Sequence, residues 1–564
     1  MSSEQPNPQI PILLLKEGTT EAKGDKAQKN NITAAKTIAE IVRSSLGPRG
    51  MDKMLVSPIG DITITNDGAT VLKEIDIEHP TGKMMVEITK SVDNEVGDGT
   101  TSAVVIAGSL LEKAEELITK NVHPTVIVEG FKRASHEAIN FLKESAIKVD
   151  TQDKSFLNKI ARTSMASKMV STDSQRLADV VVDAVVSVIE KIPTITAVGS
   201  KESESKSKVD IDNIKVEKKA GGSINDTQII HGIVLDKEVV HGAMPKQVRN
   251  AKIALVNSPL EIEKTEFDAK LNINSPEQME RFLEEENKML KSMVARIVSS
   301  AGANVLLCAK GIDDMAQHYL AKEGVLAVRR IKESDMDKLS KATGARIVTN
   351  IDELTANDLG SADLVDERKV ETDKWVFVEG CKNPKAVSIL IRGGSQRVVD
   401  EAERSVHDAI MTVKDVVEYP YAVVGGGAPE AVVSQKVREW SNSLSGRSQL
   451  AAEKFADAIE SIPLILAENA GMDPIDTQVQ LRAKAITAKP KYGVDVLNGK
   501  VADLAAKDIY EPVVVKENVI NSATEAACMI LRIDDVISAS KSKAPAGGGP
   551  PPGGYGGGMG GMDM

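Results

Sequence analysis

Gly97-Asp98-Gly99-Thr100-Thr101-Ser102 places two glycines, one carboxylate and three hydroxyls directly before an apolar run. That set suits phosphate chemistry. Glycine lets the backbone approach a ligand closely, hydroxyl and N–H groups donate to phosphate oxygens, and a carboxylate can hold the accompanying metal ion. Two further turns carry related chemistry. Asn66-Asp67-Gly68 sets a carboxylate on a tight turn, and Val424-Gly425-Gly426-Gly427-Ala428 puts three glycines between a short apolar run and a helix start. The alternative for the first segment is an ordinary helix cap made by Asp98 or Thr100. No G-x-x-x-x-G-K-[ST] pattern occurs, which excludes the standard P-loop, and a dinucleotide fingerprint is also missing.

The elements that must hold these turns are mostly helical. Ala107, Leu110, Leu111, Ala114, Leu117 and Ile118 recur at three- and four-residue steps, so the polar cluster lies at a helix N-terminus. Ile32, Ala35, Ala39, Val42 and Leu46 form another stripe that stops at Gly47-Pro48. Asp61 to Thr65 alternates as a short strand leading to Asp67. Ala402, Val406, Ala409, Ile410, Val413 and Val417 make a helix whose opposite face carries Asp408, read on pattern alone as a solvated carboxylate. Between about 225 and 375 short β-rich runs mix with helices, an α/β insertion in an α-rich frame.

Ser275-Pro276-Glu277-Gln278 is a capping box for a helix bearing Met279, Phe282, Leu283, Leu290, Met293 and Ile297. The stripe reads first as core and second as an adaptable Met-rich binding face. Lys201 to Lys219 reads as a solvated polar connection, and Ile12 to Leu15 as a strand after a loose tail. Residues 545–564, rich in Gly, Pro and Met, are too poor in large apolar side chains to fold.

Composition narrows the function. The 564 residues carry a net charge of −12, against a phosphate-backbone nucleic-acid binder. Aromatics make up only 3%, so the core must be aliphatic and Ala-rich. Cys308, Cys381 and Cys528 are odd in number and far apart, indicating neither disulfides nor zinc. No apolar run reaches the roughly 18 residues of a membrane span, and a cytoplasmic location is expected.

Leu46-Gly47-Pro48-Arg49-Gly50-Met51-Asp52-Lys53-Met54, Thr65-Asn66-Asp67-Gly68-Ala69-Thr70, Gly97-Asp98-Gly99-Thr100-Thr101 and Val424-Gly425-Gly426-Gly427-Ala428 together resemble the group II chaperonins. The order and spacing match over nearly the whole chain, and the Gly/Met-rich end is most similar to archaeal thermosome subunits. The resemblance implies a multidomain chaperonin fold, α+β with an α/β part. A mainly helical equatorial ATPase domain would comprise 16–155 and 413–540, and an intermediate domain 156–222 and 376–412. The apical substrate-binding domain would be 223–375, with a lid protrusion at about 258–290; 1–15 and 541–564 would be tails.

It further implies an ATP-dependent chaperone that encloses non-native proteins in two stacked rings. These would be eight- or nine-membered, built of identical or paralogous subunits, with no separate lid co-chaperonin. Carried over residue by residue, Leu46, Gly47 and Pro48 would touch nucleotide phosphate and sugar, and Asp98 would hold magnesium. Gly99, Thr100, Thr101 and Ser102 would bind phosphate, Gly426 would lie against ribose and adenine, and Ser164 and Lys168 would sense the γ-phosphate. Asp67 and Asp408 match the carboxylates that orient the attacking water. Ala506 stands where relatives often carry a carboxylate, which bears on sugar binding. Alternatives from other classes are a ring-forming holdase or scaffold with little ATPase activity, and a small-molecule kinase.

Overall fold

The computed structural model describes residues 20–193, 205–262, 276–381, 385–487 and 491–538. Both expected tails, the capping residue Ser275, the strand at Ile12 to Leu15 and part of the expected protrusion lie outside the described residues.

Buried apolar side chains gather into three large clusters that the chain visits in nested order. The first runs from Ile32 to Leu142 and resumes from Val423 to Leu531. Its centre is the helix Thr100–Thr119, packed by Gly24–Arg43, Arg447–Asn469 and Val513–Leu531. The aromatic-poor composition explains how these helices meet. A Cβ on Gly108 would lie 2.3 Å from Cβ of Ala39, and one on Gly130 would lie 2.4 Å from Cβ of Ala451. Small residues at the crossings let the backbones approach and leave Leu, Ile and Val to fill the spaces between.

The second cluster, Ile233 to Ala386, surrounds a seven-stranded sheet. Its path is Leu326–Val328, Val305–Cys308, Gln247–Val256, Gly360–Val370, Asp373–Glu379 and Gly232–Leu235, with Ile347–Val348 also on Gln247–Val256. The first three strands are parallel, and Val305–Cys308 and Leu326–Val328 are buried throughout, the pattern of strands covered on both faces. This is the α/β insertion read from the sequence.

The helix Pro276–Ala295 leaves that core. Leu290 and Val294 are buried, but Met279, Phe282 and Leu283 are 49%, 44% and 49% exposed. The core reading of this stripe is therefore corrected for its first two turns. Helical spacing reports that one face is apolar, not that anything covers it.

The third cluster joins Val149 to Ile214 with Val387 to Ala422. It holds the helices Lys154–Met165, Ser174–Ser187 and Gln396–Glu418 against a sheet of Ile214–Ala220, Val387–Gly393 and Gln228–Ile230. The polar run to Lys219 is thus not a solvated connection. Ser205–Val209 and Ile214–Ala220 are strands, and Nζ of Lys215 is buried between Glu217 at 3.0 Å and Asp335 at 2.9 Å while donating to the Val234 carbonyl at 2.8 Å. Full pairing makes a charged residue admissible in a strand interior. Among the described residues no helix is long and apolar enough to cross a membrane.

Candidate functional site

Gly97 ends the helix Pro80–Val96 at φ +66°, and Gly99 precedes Thr100–Thr119 at φ +82°. Both need glycine for conformation and for space. A Cβ on Gly97 would stand 2.4 Å from Cβ of Met411, and one on Gly99 would stand 2.7 Å from Cγ2 of Val519. Neither Asp98 nor Thr100 caps the following helix. Oδ1 of Asp98 accepts from the adjacent Gly99 N–H at 2.6 Å, and the Thr100 hydroxyl donates to Oδ1 of Asp67 at 3.1 Å. The expectation of an ordinary cap is therefore corrected, and the first turn, with half-buried Thr101 and Ser102, carries no side-chain cap. Such an end suits an anion through its dipole and first-turn N–H groups.

Asp67 caps the helix Gly68–Glu74, accepting from the N–H groups of Ala69 at 3.3 Å and Thr70 at 2.8 Å. Burial pushes its carboxyl upward, but the Lys168 ammonium and the bonds from Thr70 and Thr100 outweigh this and hold it below the usual range. The neighbouring Asn66 side chain donates to the Ser167 carbonyl, which brings Lys168 to the turn.

Lys168 makes a buried ion pair with Oδ2 of Asp408. Burial disfavours its charge, yet Asp408, Asp67 and Asp98 raise it above its ordinary value, so it stays an ammonium. Asp408 is only 9% exposed, which corrects the solvated reading from pattern alone. Helix Gln396–Glu418 packs on more than its apolar stripe. Below Asp408, the Thr412 hydroxyl donates to the Asp408 carbonyl at 2.6 Å and lies 3.4 Å from the buried Ser164 hydroxyl.

Negative charge is in excess here. Burial, then the Asp408 charge, pushes Asp98 to about 6 against the opposing Lys168 and Gly99 N–H. Burial and the charges of Asp67 and Asp408 push Asp93 to about 6 as well. Among the described residues no cluster of three or more His, Cys, Asp or Glu side chains could hold a metal alone. Magnesium asks for less, one or two carboxylates completed by phosphate oxygens and water, and the crowded acids beside Asp98 fit that demand.

The glycine turn forms another wall. Gly426 has φ +68°, and its N–H donates to Oε1 of Glu511 at 3.3 Å, while a Cβ there would meet Leu504 at 2.3 Å. Gly427 at φ +76° starts the helix Ala428–Ser441 against Pro463. Gly47 lies against Leu466 of the same Arg447–Asn469 helix, and Asn469 donates to the Leu46 carbonyl at 2.9 Å, which fixes the loop ahead of Pro48. Glu511 was missed by sequence reading. It is held by the buried Lys516, which also pairs with Glu430 at 2.8 Å, and its charge is felt at Asp98. Ala506 is exposed on the short turn Ala505–Lys507, so the carboxylate beside Gly426 is Glu511. Its signal was Glu511-Pro512 directly before a helix.

Residues 38–541 match the model of the TCP-1/cpn60 chaperonin family. The chain belongs to that family. Among chaperonins it is similar to thermosome subunit alpha of Archaeoglobus fulgidus, with 54% identity over 95% of this chain and 97% of the relative. Thermosome subunit beta of the same organism is 53% identical over 98% of both chains, and a thermosome subunit of Pyrococcus horikoshii is 55% identical over 94% of both. The chain is therefore a thermosome-like group II chaperonin, a molecular chaperone for protein folding. Paralogous alpha and beta relatives place it among chaperonins that assemble as oligomers.

Proposed function

We propose that this chaperonin hydrolyses ATP to drive closure of a built-in lid over non-native proteins, in two stacked rings of eight or nine subunits without a separate lid protein, in the cytoplasm. The first buried cluster would be the core of the equatorial ATPase domain (expected at 16–155 and 413–540), the third that of the intermediate domain (156–222 and 376–412) and the second that of the apical domain (223–375), although Val376, Val378 and Ala386 pack with the second cluster, and strand Gln228–Ile230 and Val413 with the third. One observation carries the reading: Asp67, Asp98, Lys168 and Asp408, from distant parts of the chain, converge beside the uncapped start of Thr100–Thr119. That convergence also argues against a passive scaffold, which has no use for a buried, charged constellation of this kind.

In this reading Gly99, Thr100, Thr101 and Ser102 bind phosphate, Leu46, Gly47 and Pro48 border phosphate and sugar, and Gly426 with Glu511 faces the nucleoside. Asp98 would hold magnesium, which when bound neutralises phosphate charge. Ser164 and Lys168 sense the γ-phosphate, Lys168 as a compact, reorientable charge. Asp67 and Asp408 accept hydrogen bonds from the attacking water and orient it. Because Lys168 and Asp408 are carried by elements of the third cluster and Asp67 and Asp98 by elements of the first, the site is complete only when the two meet. Closure and chemistry are thereby coupled.

Asp98→Ala tests the assignment. Magnesium-dependent ATP binding, read by calorimetry, should weaken by about a hundredfold while far-ultraviolet circular dichroism stays unchanged. Equal affinity in the variant would refute the metal role.

A further inference from the structure

His407 precedes Asp408 on the helix Gln396–Glu418, and its side chain is 52% exposed. Its Nδ1 lies 3.8 Å from Oδ1 of Asp408, while Oδ2 of the same carboxylate is occupied by Lys168. The carboxylate thus has a permanent cation at one oxygen and a titratable one near the other. Three groups act on the imidazole: Asp408 from its own helix, Asp93 from the facing helix Pro80–Val96, and Lys168 from the segment after Lys154–Met165.

The charge balance gives this arrangement a task. Asp67, Asp93, Asp98 and Asp408 crowd around one ammonium. If Lys168 turns towards phosphate, the Asp408 carboxylate loses the cation that holds its Oδ2 and is left among three other acids. We propose that His407, as an imidazolium, is a positioning residue for ATP hydrolysis that keeps the Asp408 carboxylate oriented while Lys168 engages the nucleotide. This rests on Asp408 acting as the water-orienting carboxylate. The setting supports it: contact with Asp408 raises the imidazole above its ordinary value, and the charges of Asp408 and Asp93 add to this against burial and Lys168.

The sign follows directly. The imidazolium is present at low pH and lost as pH rises through its elevated value, so its contribution fades on the alkaline side. Phosphate release at saturating ATP and magnesium is measured on the assembled particle from about pH 6 to about pH 9 for wild type, His407→Gln and His407→Lys. Sedimentation first establishes equal assembly.

Wild-type turnover should fall about fivefold across the imidazole transition, the scale of a half-exposed ion pair. His407→Gln should lack that transition and lie at the lower level throughout, with ATP affinity unaltered. His407→Lys should also lack the transition but lie at the higher level. A wild-type alkaline limb in His407→Gln, or a His407→Lys profile identical to that of His407→Gln, would overturn the proposal. Asp408→Ala separates the two layers. Turnover at the wild-type rate in that variant refutes the underlying role of Asp408, whereas a dead Asp408→Ala beside an unchanged His407→Gln profile refutes the role of His407 alone.

Discussion

Asp98, Asp93 and Asp415 sit where water solvates a charge poorly, and each is pushed upward, to about 6, about 6 and about 8. Asp415 lies two turns beyond Asp408, and its Oδ2 is buried without a hydrogen-bond partner. Burial dominates its shift, with Glu418 and Asp98 adding to it against Lys414. Because the folded value is raised above the ordinary 3.8, its contribution to stability is full below that value and is lost as pH rises towards about 8. Asp415→Asn should abolish this decline, giving a stability gain on the order of a few kcal/mol at alkaline pH and little change in acid. Denaturation midpoints at both ends of the range read this, and a difference independent of pH would contradict it. Such residues expose what a sequence cannot say. The turn carrying Asp98 was legible because glycine and hydroxyl chemistry are local, whereas Asp408 looked like surface until family resemblance and then Lys168 gave it a partner 240 positions away. Glu511 escaped because its neighbour, the Gly426 N–H, is likewise distant in sequence.

The helices were legible from their stripes, since burial of one face repeats every turn whatever the partner is. The helix Gln396–Glu418 shows what periodicity omits: it buries Val399, Val406 and Val413 on its stripe and Glu401, Asp408 and Asp415 elsewhere. Strand Ile214–Ala220 was hidden for the opposite reason, because Lys215 is polar in sequence and is buried against Glu217 and, from another element, Asp335. The first two turns of Pro276–Ala295 stand outside the core although Leu290 and Val294 lie in it, because apolar spacing does not imply cover. The contact of Gly97 with Met411 makes a prediction at this scale. Gly97→Ala adds a methyl where helix Gln396–Glu418 approaches and also strains a left-handed φ by roughly 1 kcal/mol. The variant should bind ATP yet turn it over at least about tenfold more slowly, because the methyl separates Asp408 from Asp67. Parallel binding and turnover assays check this, and a loss of binding with turnover per bound nucleotide intact would contradict it.

Three nested cores make a molecule in which both flanks of the described chain build the first core and its middle builds the second. Sequence reading found the insertion through its change of period, but the exact seams depend on which buried side chains meet. Two features of the first unit look outward. The hairpin Lys53–Val56 with Ile62–Thr65 exposes Met54 by 64% and Val56 by 65% on one face, and Thr20–Lys23 with Asp535–Ser538 is, among the described residues, another two-stranded sheet. Two-stranded sheets are marginal alone and offer free edges, so in an oligomer each is suited to extension by a neighbour. Met54→Lys combined with Val56→Lys should shift the particle to subunits or small oligomers in sedimentation velocity, and an intact large particle would contradict this. The central claim is that a site split between the first and third cores is completed by closure. Its most direct measurement is ATP binding and phosphate release in Asp408→Ala. The account predicts binding within about twofold of wild type and turnover reduced by at least about a hundredfold; turnover at the wild-type rate would contradict it.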